Sequence, residues 1–482
     1  MNLSELPLTA FIDPQGKNRQ EIEQLASQIL DLILSHLATA VDHSPLPEIG
    51  DLTDFISIPE TSTPESVLLE KLNTIIKSST NAANPGYMGH MDSMPTTISI
   101  LAELVAAALN NNMLSVEMSP VFSRLEFHLI KQFAQRFGLG QTSGGVMASG
   151  GTLANLQALT VARNRVFDSQ KSGIWNQTQQ PVLFASEVAH TSLQKAAMLL
   201  GLGTSAVIPV QTNINSKIEI EDLKFKIEQA KLAGKIPFCI VATAGTTTTG
   251  NIDPLEPMAE IARQHHLWFH VDAAYGGAII FSPQYCQKLN GIEQADSITF
   301  NPQKWLYVAR TCAMVLFREF QQLETEFRIS APYMQTVEDV INLGEITIQG
   351  TRHADVLKLW LSLQHLGKKG YAQLINESYQ LTDYLFQELA KIQDLEVVSQ
   401  PDTNIICFRS IPANILPEDQ DQWNADLQAY LLQNANIFLS LPLYRGQRWL
   451  RIILLNPYIN QTQLDHLIQQ INTFTRVRLT HS

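Results

Sequence analysis

Residues 268–305 hold two polar side chains of complementary chemistry at the ends of two apolar runs. The first run, 268–271, ends at Asp272, which two alanines follow, and the second, 298–300, leads into a short loop that carries Lys304. A buried carboxylate can pair with a ring nitrogen, and a lysine amine can form an imine with an aldehyde. A site that binds pyridoxal phosphate needs at least these two groups.

A glycine-rich segment farther upstream could hold the phosphate of such a cofactor. The tetrapeptide Ser149-Gly150-Gly151-Thr152 precedes a predicted helix that runs through Ala162. Glycines before a helix N-terminus leave backbone N–H groups accessible, the helix dipole favours an anion there, and the threonine adds a hydroxyl. An ordinary capped helix after a tight turn would show the same pattern.

Two more polar segments follow predicted strands. His190 comes after the apolar run 182–184, where its ring could stack on an aromatic cofactor, although a core or helix-capping histidine would look the same. Residues 243–250 follow another apolar run, and their small hydroxylated side chains leave room for a ring and can donate to its phenolic oxygen. A plain Gly/Thr loop is the alternative. The five features are the glycine-rich segment, His190, residues 243–250, Asp272 and Lys304. Because they occur in one chain order and four of them adjoin strands of one apparent sheet, they favour a single cofactor site.

The elements that must position these residues alternate between strand and helix from about residue 95. Strands are predicted at 182–184, 240–242, 268–271, 298–300 and 314–317, and helices at 192–201, 221–233 and 255–265. This alternation predicts an α/β protein with a mostly parallel, doubly wound sheet covered on both faces. Ligands of such sheets bind beyond the carboxyl ends of the strands, where Asp272 and Thr246 are expected.

Three units are expected along the chain: an N-terminal helical, dimer-forming segment, a large cofactor-binding α/β domain and a small C-terminal α+β domain. Their ranges are 1–95, 96–370 and 371–482. An amphipathic helix at 18–40 could pack on a partner subunit. A long helix at about 353–392, broken at Gly367 and Gly370, bridges the second and third units.

Composition argues against several classes of function. The 482 residues are 45% hydrophobic and 16% charged, which is ordinary for a globular protein, and the net charge of −13 argues against nucleic acid or an anionic membrane surface as partner. The four cysteines lie far apart without a C-x-x-C pair, so no metal site is predicted and a reducing, cytoplasmic compartment is expected. We expect neither a signal peptide nor a membrane span.

Together the motifs resemble the group II pyridoxal-phosphate-dependent amino acid decarboxylases, which include the glutamate, cysteine sulfinate and aromatic amino acid enzymes. The resemblance covers roughly residues 60–480. Its motifs are Ser149-Gly-Gly-Thr152, His190-Thr-Ser192, Thr243-Ala-Gly-Thr-Thr247, His270-Val-Asp-Ala-Ala-Tyr-Gly-Gly277 and Asn301-Pro-Gln-Lys-Trp305. It implies a fold-type-I homodimer with active sites at the subunit interface, pyridoxal 5'-phosphate as cofactor, an amino acid substrate and a place in carboxylic acid metabolism.

The resemblance also implies a role for each matching residue. Lys304 matches the Schiff-base lysine, Asp272 the partner of the pyridine nitrogen, and His190 and Ala274 the residues on the two ring faces. Thr246 is expected at the ring edge. The phosphate is expected to be held by Gly150, Gly151, Thr152 and Asn301. Arg352 matches the arginine that family members aim at the substrate α-carboxylate, an anion that suits a planar guanidinium, although an ion pair at the surface is the alternative. The expected catalytic residues are therefore Lys304, His190, Asp272 and Arg352.

Two departures from the family put the product, though not the cofactor, in question. Gln303 stands where the family usually has a histidine, and glutamine cannot titrate near neutral pH. Family decarboxylases commonly carry a tyrosine, in the loop that matches about 332–349, which protonates the carbanion left after CO2 loss. Residues 334–348 contain no tyrosine, and Tyr333 matches a different family position. In the family, loss of that tyrosine is associated with abortive transamination or oxidative formation of aldehydes.

Residues 84–95 match the segment that lines the substrate side-chain pocket in relatives. They show neither the aromatic-rich pattern of the aromatic enzymes nor the Asn-Gln pattern of the glutamate enzymes. His90 and Asp92 could meet a polar or cationic substrate side chain, whereas the three methionines of this segment could equally line an apolar pocket. A loop that caps the next helix is an equally good interpretation of Asp92.

Three functions stay open at this point. The first is α-decarboxylation of an L-amino acid to a primary amine and CO2. The second couples decarboxylation to oxidative deamination and gives an aldehyde, ammonia and peroxide, as the missing loop tyrosine suggests. The third is a cofactor-binding protein whose active site has decayed, which Gln303 and the altered loop suggest.

Overall fold

The fold rests on a seven-stranded sheet, seen in a computed structural model that describes residues 6–48, 56–330 and 341–480. Its strands are β1 (Gly144–Ala148), β2 (Pro181–Ser186), β3 (Val207–Val210), β4 (Ile236–Thr243), β5 (Trp268–Asp272), β6 (Ser297–Phe300) and β7 (Ala313–Phe317). They lie in the order β1-β7-β6-β5-β4-β2-β3. Strand β7 is antiparallel to both of its neighbours, and the other adjacent pairs are parallel.

Helices pack around this sheet and continue into both ends of the chain. In chain order they are α1 (Arg19–Ala38), α2 (Glu65–Ser78), α3 (Thr97–Leu109), α4 (Pro120–Arg136), α5 (Gly151–Phe167), α6 (Ser192–Leu199), α7 (Ile220–Leu232), α8 (Leu255–Gln264), α9 (Phe320–Phe327), α10 (Val356–Leu389), α11 (Gln420–Ala435) and α12 (Gln461–Thr480). The mostly parallel α/β fold predicted from the alternation of strands and helices is confirmed. Among the described residues, no helix is long and apolar enough to span a membrane.

The central strands read as unbroken apolar runs because they are covered on both faces. Every residue of β5 and of β6 is buried, and so are the last six of β4. The predicted strands and the helices at 192–201, 221–233 and 255–265 agree with the structure to within two residues at their ends, except that β4 begins four residues before the predicted strand 240–242. Strand β1 was not predicted, because its sequence Gly-Gly-Val-Met-Ala begins with two weak strand formers.

The register of the sheet brings the chemically interesting segments to one edge. Thr243 at the end of β4 pairs with Asp272 at the end of β5, and Asp272 pairs in turn with Thr299 of β6. The loops that follow these three parallel strands therefore leave the sheet at the same level. The carboxyl edge is the position at which α/β sheets bind ligands.

A second core lies under a smaller sheet formed by the C-terminal part of the chain. That sheet contains β8 (Leu395–Val397), β9 (Ile405–Ser410) and β12 (Leu450–Ile453), in the antiparallel order β12-β9-β8, and a hairpin of β10 (Leu443–Tyr444) and β11 (Gln447–Arg448) lies beside it. Met88 belongs to this second core, so the segment 84–95 packs on the C-terminal part of the molecule. The division into 1–95, 96–370 and 371–482 stays a prediction.

Helix α10 connects the two cores and is interrupted once. Gly367 has φ 63° and ψ 176°, a conformation that favours glycine and breaks the run of helical residues, as predicted. The predicted second break, at Gly370, is wrong, because that residue keeps helical geometry. The N-terminal helix predicted at 18–40 is confirmed as α1, and none of its residues is buried in the described chain.

Candidate active site

A cavity lies at the carboxyl edge of the large sheet, where the segments after β1, β2, β4, β5 and β6 meet. Its walls are formed by Gly151, Thr152, Asn155, His190, Thr243, Gly245, Thr247, Asp272, Ala274, Tyr275, Asn301 and Lys304. The structure thus brings together the residues that the motifs single out from five separate stretches of chain. Of the predicted cofactor residues, only Gly150 and Thr246 are outside this lining set.

The N-terminus of α5 forms the anion-binding wall of the cavity. The helix begins at Gly151, and no side chain among the described residues caps it. Asn301 adds its amide from the β6 loop: its Oδ1 is buried without a hydrogen-bond partner in the described chain, and a Cβ added at Gly151 would lie 3.1 Å from its Nδ2. Free N–H groups, a glycine that keeps the approach open and an unsatisfied amide fit a phosphate.

Lys304 lies in the loop after β6 with its amine inside the cavity. Its Nζ lies 3.9 Å from the Sδ of Met91. Burial lowers the pKa of Lys304 from its ordinary value, Asp272 and Asp92 oppose this, and the charges of Arg310 and Arg451 lower it further. A larger share of neutral amine makes Lys304 a better nucleophile toward an aldehyde.

Asp272 presents a buried carboxylate to the same cavity. Its Oδ2 accepts a hydrogen bond from Asn155 Nδ2 at 2.8 Å, and its Oδ1 accepts one from the backbone N–H of Ala274 at 3.1 Å. These donors stabilise the carboxylate form and fix its plane. Both oxygens keep lone pairs with which to face a protonated ring nitrogen.

His190 lies on the wall between the cavity and α6. Its Nδ1 accepts the backbone N–H of Ser192 at 3.2 Å, so the proton of the neutral ring is on Nε2. Loss of solvation lowers the pKa of His190, although Asp272 opposes the shift. A neutral, oriented imidazole suits stacking on an aromatic ring, and Ala274 on the cavity wall is small enough to leave room for one.

The side chain of Thr246 is not among those that line the cavity, and its contact with the ring edge stays a prediction. Its side chain is fully buried, its Oγ1 lies 2.9 Å from Thr249 Oγ1, and it accepts the backbone N–H of Asn251 at 3.2 Å. The hydroxyl is used to close its own turn, which starts at Gly245 with φ 95°. The side chain of this loop that reaches the cavity is Thr247.

Arg352, predicted to face the substrate carboxylate, forms an ion pair within the protein. Its Nη1 and Nη2 donate to the two carboxylate oxygens of Glu126 at 3.2 and 3.0 Å, and both side chains are buried. Glu126 in turn accepts the backbone N–H of Met147 at 2.9 Å. The guanidinium, which also donates to Met147 O at 3.5 Å, therefore joins the loop before α10 to α4 and β1, and Arg352 is not among the residues that line the cavity. This pair is the ion-pair alternative, buried rather than at the surface.

Arg451 is a buried arginine that the sequence analysis did not single out. It lies on β12 with 7% of its surface exposed and donates to Gly89 O and Ser440 Oγ, both at 2.9 Å, and to Thr247 O. No carboxylate among the described residues forms an ion pair with it. The available signal was a single charged residue within the apolar run Trp-Leu-Arg-Ile-Ile-Leu, which a buried functional position would explain.

The segment 84–95 reaches the cavity from the side of Arg451. His90 Nδ1 lies 3.3 Å from Arg451 Nη2, and burial and then this positive charge lower the pKa of His90, while Asp92 opposes them. Asp92 forms an ion pair with Arg310, which follows Lys304 in the chain. The substrate-pocket roles of His90 and Asp92 stay predictions, with both side chains placed near Arg451 and Lys304.

Gln303 is turned toward the chain's own backbone. Its Oε1 accepts the N–H of Cys312 at 2.6 Å. This hydrogen bond closes the loop that runs from Lys304 to β7. The residue at the family's histidine position therefore has a structural contact in this chain.

One group of side chains has the composition of a metal site but already surrounds a cation. Glu103, His353 and Asp355 place their ligand atoms within 4.8 Å of one another. The ammonium of Lys358 lies 2.7 Å from both Glu103 Oε2 and Asp355 Oδ1. This ammonium neutralises the carboxylates, so the group is an ion-pair cluster.

One protein-family model and several solved structures match this chain. The conserved domain of pyridoxal-dependent decarboxylases matches residues 52–411. The crystal structure of mouse CSAD is 26% identical, with a TM-score of 0.88 over 95% of this chain and 99% of that one. The glutamate decarboxylase domain of the diaminobutyrate-pyruvate transaminase and L-2,4-diaminobutyrate decarboxylase from Vibrio parahaemolyticus is 25% identical, with a TM-score of 0.86 over 97% and 98%. Rhodiola rosea 4-hydroxyphenylacetaldehyde synthase is 21% identical, with a TM-score of 0.86 over 95% and 98%.

The domain match covers most of the chain and includes every wall of the cavity. The cavity independently offers a buried lysine, a carboxylate for a ring nitrogen and an anion-binding helix terminus, which together fit pyridoxal phosphate. The chain belongs to the pyridoxal-dependent decarboxylase family, with the fold of the fold-type-I members, and is a carboxy-lyase that uses pyridoxal 5'-phosphate.

Proposed function

We propose that the protein removes the α-carboxyl group of an L-amino acid as CO2 and releases the corresponding primary amine. The observation that carries this proposal is that Lys304 and Asp272 face one cavity and that the N-terminus of α5 forms one of its walls. Pyridoxal phosphate bound there supplies an electron sink for the bond that breaks. The substrate amine and carboxylate are the two groups that the chain must then recognise.

The protein's own part in binding the cofactor is divided among four groups. Lys304 binds the aldehyde carbon, and Asp272 pairs with the ring nitrogen. His190 and Ala274 contact the ring faces. The first turn of α5, with Gly150 before it and Thr152 within it, and Asn301 hold the phosphate. Each assignment is supported by the position of the side chain on the cavity wall or, for Gly150, next to it.

Arg451 is the residue that we propose binds the substrate α-carboxylate. It is buried, its charge lowers the pKa of Lys304, and it donates to Gly89 O and to the backbone oxygen of Thr247, a residue that lines the cavity. Its charge has no carboxylate partner in the described chain, in contrast to that of Arg352. A guanidinium held in this way would bind the substrate carboxylate and fix its orientation.

Release of an amine also requires a proton for the carbon that has lost CO2. Apart from Asp272, which pairs with the ring nitrogen, the described titratable side chains that line the cavity are His190, Lys304 and Tyr275. Tyr275 already donates its hydroxyl to Asn404 Oδ1 at 2.6 Å, at a fully buried position. We therefore assign the proton to His190 Nε2 or to the amine of Lys304, in place of a loop tyrosine.

Product analysis tests this function directly. The purified holoprotein is incubated with acidic, aromatic, branched aliphatic and diamino L-amino acids, and the products are identified by mass spectrometry. We expect an amine from one class of substrate, and none from the Lys304→Ala variant. Failure to release CO2 from any amino acid of a broad panel would contradict the proposal.

A second candidate is decarboxylation coupled to oxidative deamination, with an aldehyde, ammonia and peroxide as products. It is favoured by the absence of a tyrosine between 334 and 348 and by the commitment of Gln303 to Cys312. An aldehyde synthase shares the fold, so the fold is compatible with either product. Oxygen uptake during turnover would support this candidate, whereas a reaction that proceeds at full rate without oxygen would exclude it.

We also propose that the protein acts as a homodimer with the active site at the subunit interface. No residue of α1 is buried, and Leu101, Leu104, Val105 and Leu109 of α3 are exposed in the single chain. A second copy that covered these apolar residues would remove them from water. Light scattering should give twice the chain mass of 53.8 kDa. A monomer that is fully active would contradict this proposal.

A cytoplasmic location is proposed on the state of the thiols. All four cysteines are free, and three of them are buried. Unpaired thiols are typical of proteins in reducing compartments. Fractionation of the cells that produce the protein would test this location, and recovery from an oxidising compartment would contradict it.

A further inference from the structure

We propose that His270 and Asn155 are positioning residues for Asp272. They hold it at the end of a series of hydrogen bonds in which each donor points toward the carboxylate. The inference rests on the proposed pairing of Asp272 with the ring nitrogen and extends it to two residues that need not touch the ring. The series runs from Trp268 through Ser297, His270 and Asn155 to the carboxylate. Four of its five members belong to β5 and β6, and α5 supplies the fifth.

Asn155 fixes which groups in this series of hydrogen bonds donate and which accept. Its Nδ2 donates both hydrogens, one to Asp272 Oδ2 at 2.8 Å and one to Ser192 Oγ at 2.9 Å. Its Oδ1 can then only accept. His270 Nε2 lies 3.1 Å from this oxygen, so Nε2 must carry the ring hydrogen.

The opposite side of the imidazole agrees with this tautomer. His270 Nδ1 lies 2.8 Å from Ser297 Oγ, which accepts the indole N–H of Trp268, also at 2.8 Å. The serine hydroxyl therefore has its hydrogen free to donate to Nδ1. All five side chains are buried, so water does not compete for these hydrogen bonds.

His270 keeps this arrangement because it stays neutral. Complete burial lowers the pKa of His270 to about 4, and the nearby charge of Asp272 opposes the shift only in part. From other elements, His190 and Lys304 interact electrostatically with Asp272, and the buried thiol of Cys239 on β4 contacts the His270 backbone. Above about pH 5, His270 is therefore neutral. The series of hydrogen bonds then ends in an N–H donor to the Asp272 carboxylate without the positive charge of an imidazolium near it.

The expected result is an aspartate whose carboxylate plane is set before the cofactor arrives. Asn155 takes one lone pair of Oδ2 and the Ala274 N–H takes one of Oδ1, which leaves the lone pairs on the cavity side for the ring N–H. A carboxylate held in this way keeps the ring nitrogen protonated, whereas a rotated or less stabilised one does not.

The test uses holoprotein reconstituted with pyridoxal phosphate that carries 15N in the ring. The nitrogen chemical shift reports its protonation independently of turnover. Asn155→Leu and His270→Phe remove the donor chain, and His270→Gln restores a side-chain N–H that can reach Asn155 Oδ1. The matched control is Asn164→Leu, a buried asparagine of the same helix whose Nδ2 donates to Glu326 O, away from the cavity.

In the native protein we expect a protonated ring nitrogen from pH 6 to 9 and histidine signals that place the His270 hydrogen on Nε2. In Asn155→Leu and His270→Phe the ring nitrogen should lose its proton at a lower pH, and turnover should fall by about tenfold to a hundredfold, the usual effect of losing a hydrogen bond to a charged group. His270→Gln should recover most of both readouts. Asn164→Leu should lower the melting temperature and leave the nitrogen shift unchanged.

An unchanged nitrogen shift in Asn155→Leu and His270→Phe that still bind cofactor would overturn the inference, as would an Nδ1–H tautomer of His270. The nitrogen measurement needs bound cofactor but no substrate. A protein that gave the expected shifts yet released no CO2 would therefore contradict the proposed function and leave this inference standing.

Discussion

Two buried arginines of similar exposure, Arg352 and Arg451, have opposite electrostatic surroundings. Arg352 has both terminal nitrogens on the carboxylate of Glu126, so its charge is neutralised within the protein. Arg451 gives its hydrogens to Gly89 O, Thr247 O and Ser440 Oγ, which are all uncharged. Burial lowers the pKa of Arg451, as expected for a cation that has left water without gaining an anion.

The difference between the two arginines separates a structural role from a functional one. Moving a charge out of water costs several kcal/mol unless a partner offsets it, so an uncompensated buried cation is retained for a reason other than stability. The position of Arg451 beside Lys304 supplies that reason, an anionic substrate group. The account therefore places carboxylate binding at Arg451 and the connection of α4 to β1 at Arg352.

The largest expected effect is on stability, at Arg352. Arg352→Met leaves the Glu126 carboxylate buried without its partner and should lower the free energy of unfolding by about 3–5 kcal/mol. The double variant Glu126→Leu/Arg352→Met should recover most of that loss. Denaturant unfolding measures both variants. A single variant of native stability with a raised KM would reverse the roles assigned to the two arginines.

A smaller effect, on substrate handling, is expected at Arg451. Arg451→Gln should lower kcat/KM by about tenfold to a hundredfold, because a hydrogen-bonded charge pair with the substrate is lost. Its free energy of unfolding should stay at or above that of the native protein, since an uncompensated charge is removed. Arg448→Gln, an exposed arginine of the neighbouring β11, is the matched control and should keep native kinetics. Native kinetics in Arg451→Gln would show that another group binds the carboxylate.

Two adjacent threonines, Thr246 and Thr247, show the same difference between a structural and a functional role, with smaller expected effects. Thr246→Val removes the hydroxyl that bonds Thr249 and Asn251 and should cost about 1 kcal/mol of stability, with little change in cofactor affinity. Thr247→Val should leave stability near the native value and weaken cofactor binding, because this side chain lines the cavity. Cofactor titration and thermal unfolding of the pair decide between these outcomes. Equal effects of both substitutions on cofactor affinity would contradict the assignment.

The smallest expected effect is a shift in the pKa of His90. Its ring nitrogen lies 3.3 Å from Arg451, and the positive charge there disfavours the protonated imidazole. Arg451→Gln removes that charge, so the pKa of His90 should rise toward its ordinary value. Histidine NMR titration measures it. A pKa that stays the same or falls would show that the Arg451 charge is compensated in solution.

The cofactor half of the site could be predicted from sequence because its chemistry is local. Asp272, Asn301 and Lys304 stand at or just after the ends of apolar strands, and neighbouring parallel strands bring their carboxyl ends together. The substrate half depends on contacts over long distances in sequence. Arg451 meets Gly89 across more than three hundred residues, and Arg352, in the loop before α10, meets Glu126 on α4. No spacing rule connects such residues.

Within single loops, prediction failed where a side chain had two possible uses. Thr246 and Thr247 are chemically identical, and only the turn at Gly245 decides which of them faces the cavity. Gln303 is similar, since its hydrogen bond to Cys312 depends on how the loop after Lys304 returns to β7. The tyrosine-free segment 334–348 is described only from residue 341, so the expectation drawn from it rests on sequence for the part before that residue.

The most direct test of the central claim is release of labelled CO2 from L-amino acids that carry 13C in the α-carboxyl group, measured without oxygen and with the amine quantified in parallel. The account predicts 13CO2 and amine in equal amounts from one class of substrate in the native protein, with a much lower rate in Arg451→Gln. Holoprotein that binds the cofactor and releases no 13CO2 from any member of the panel would contradict it.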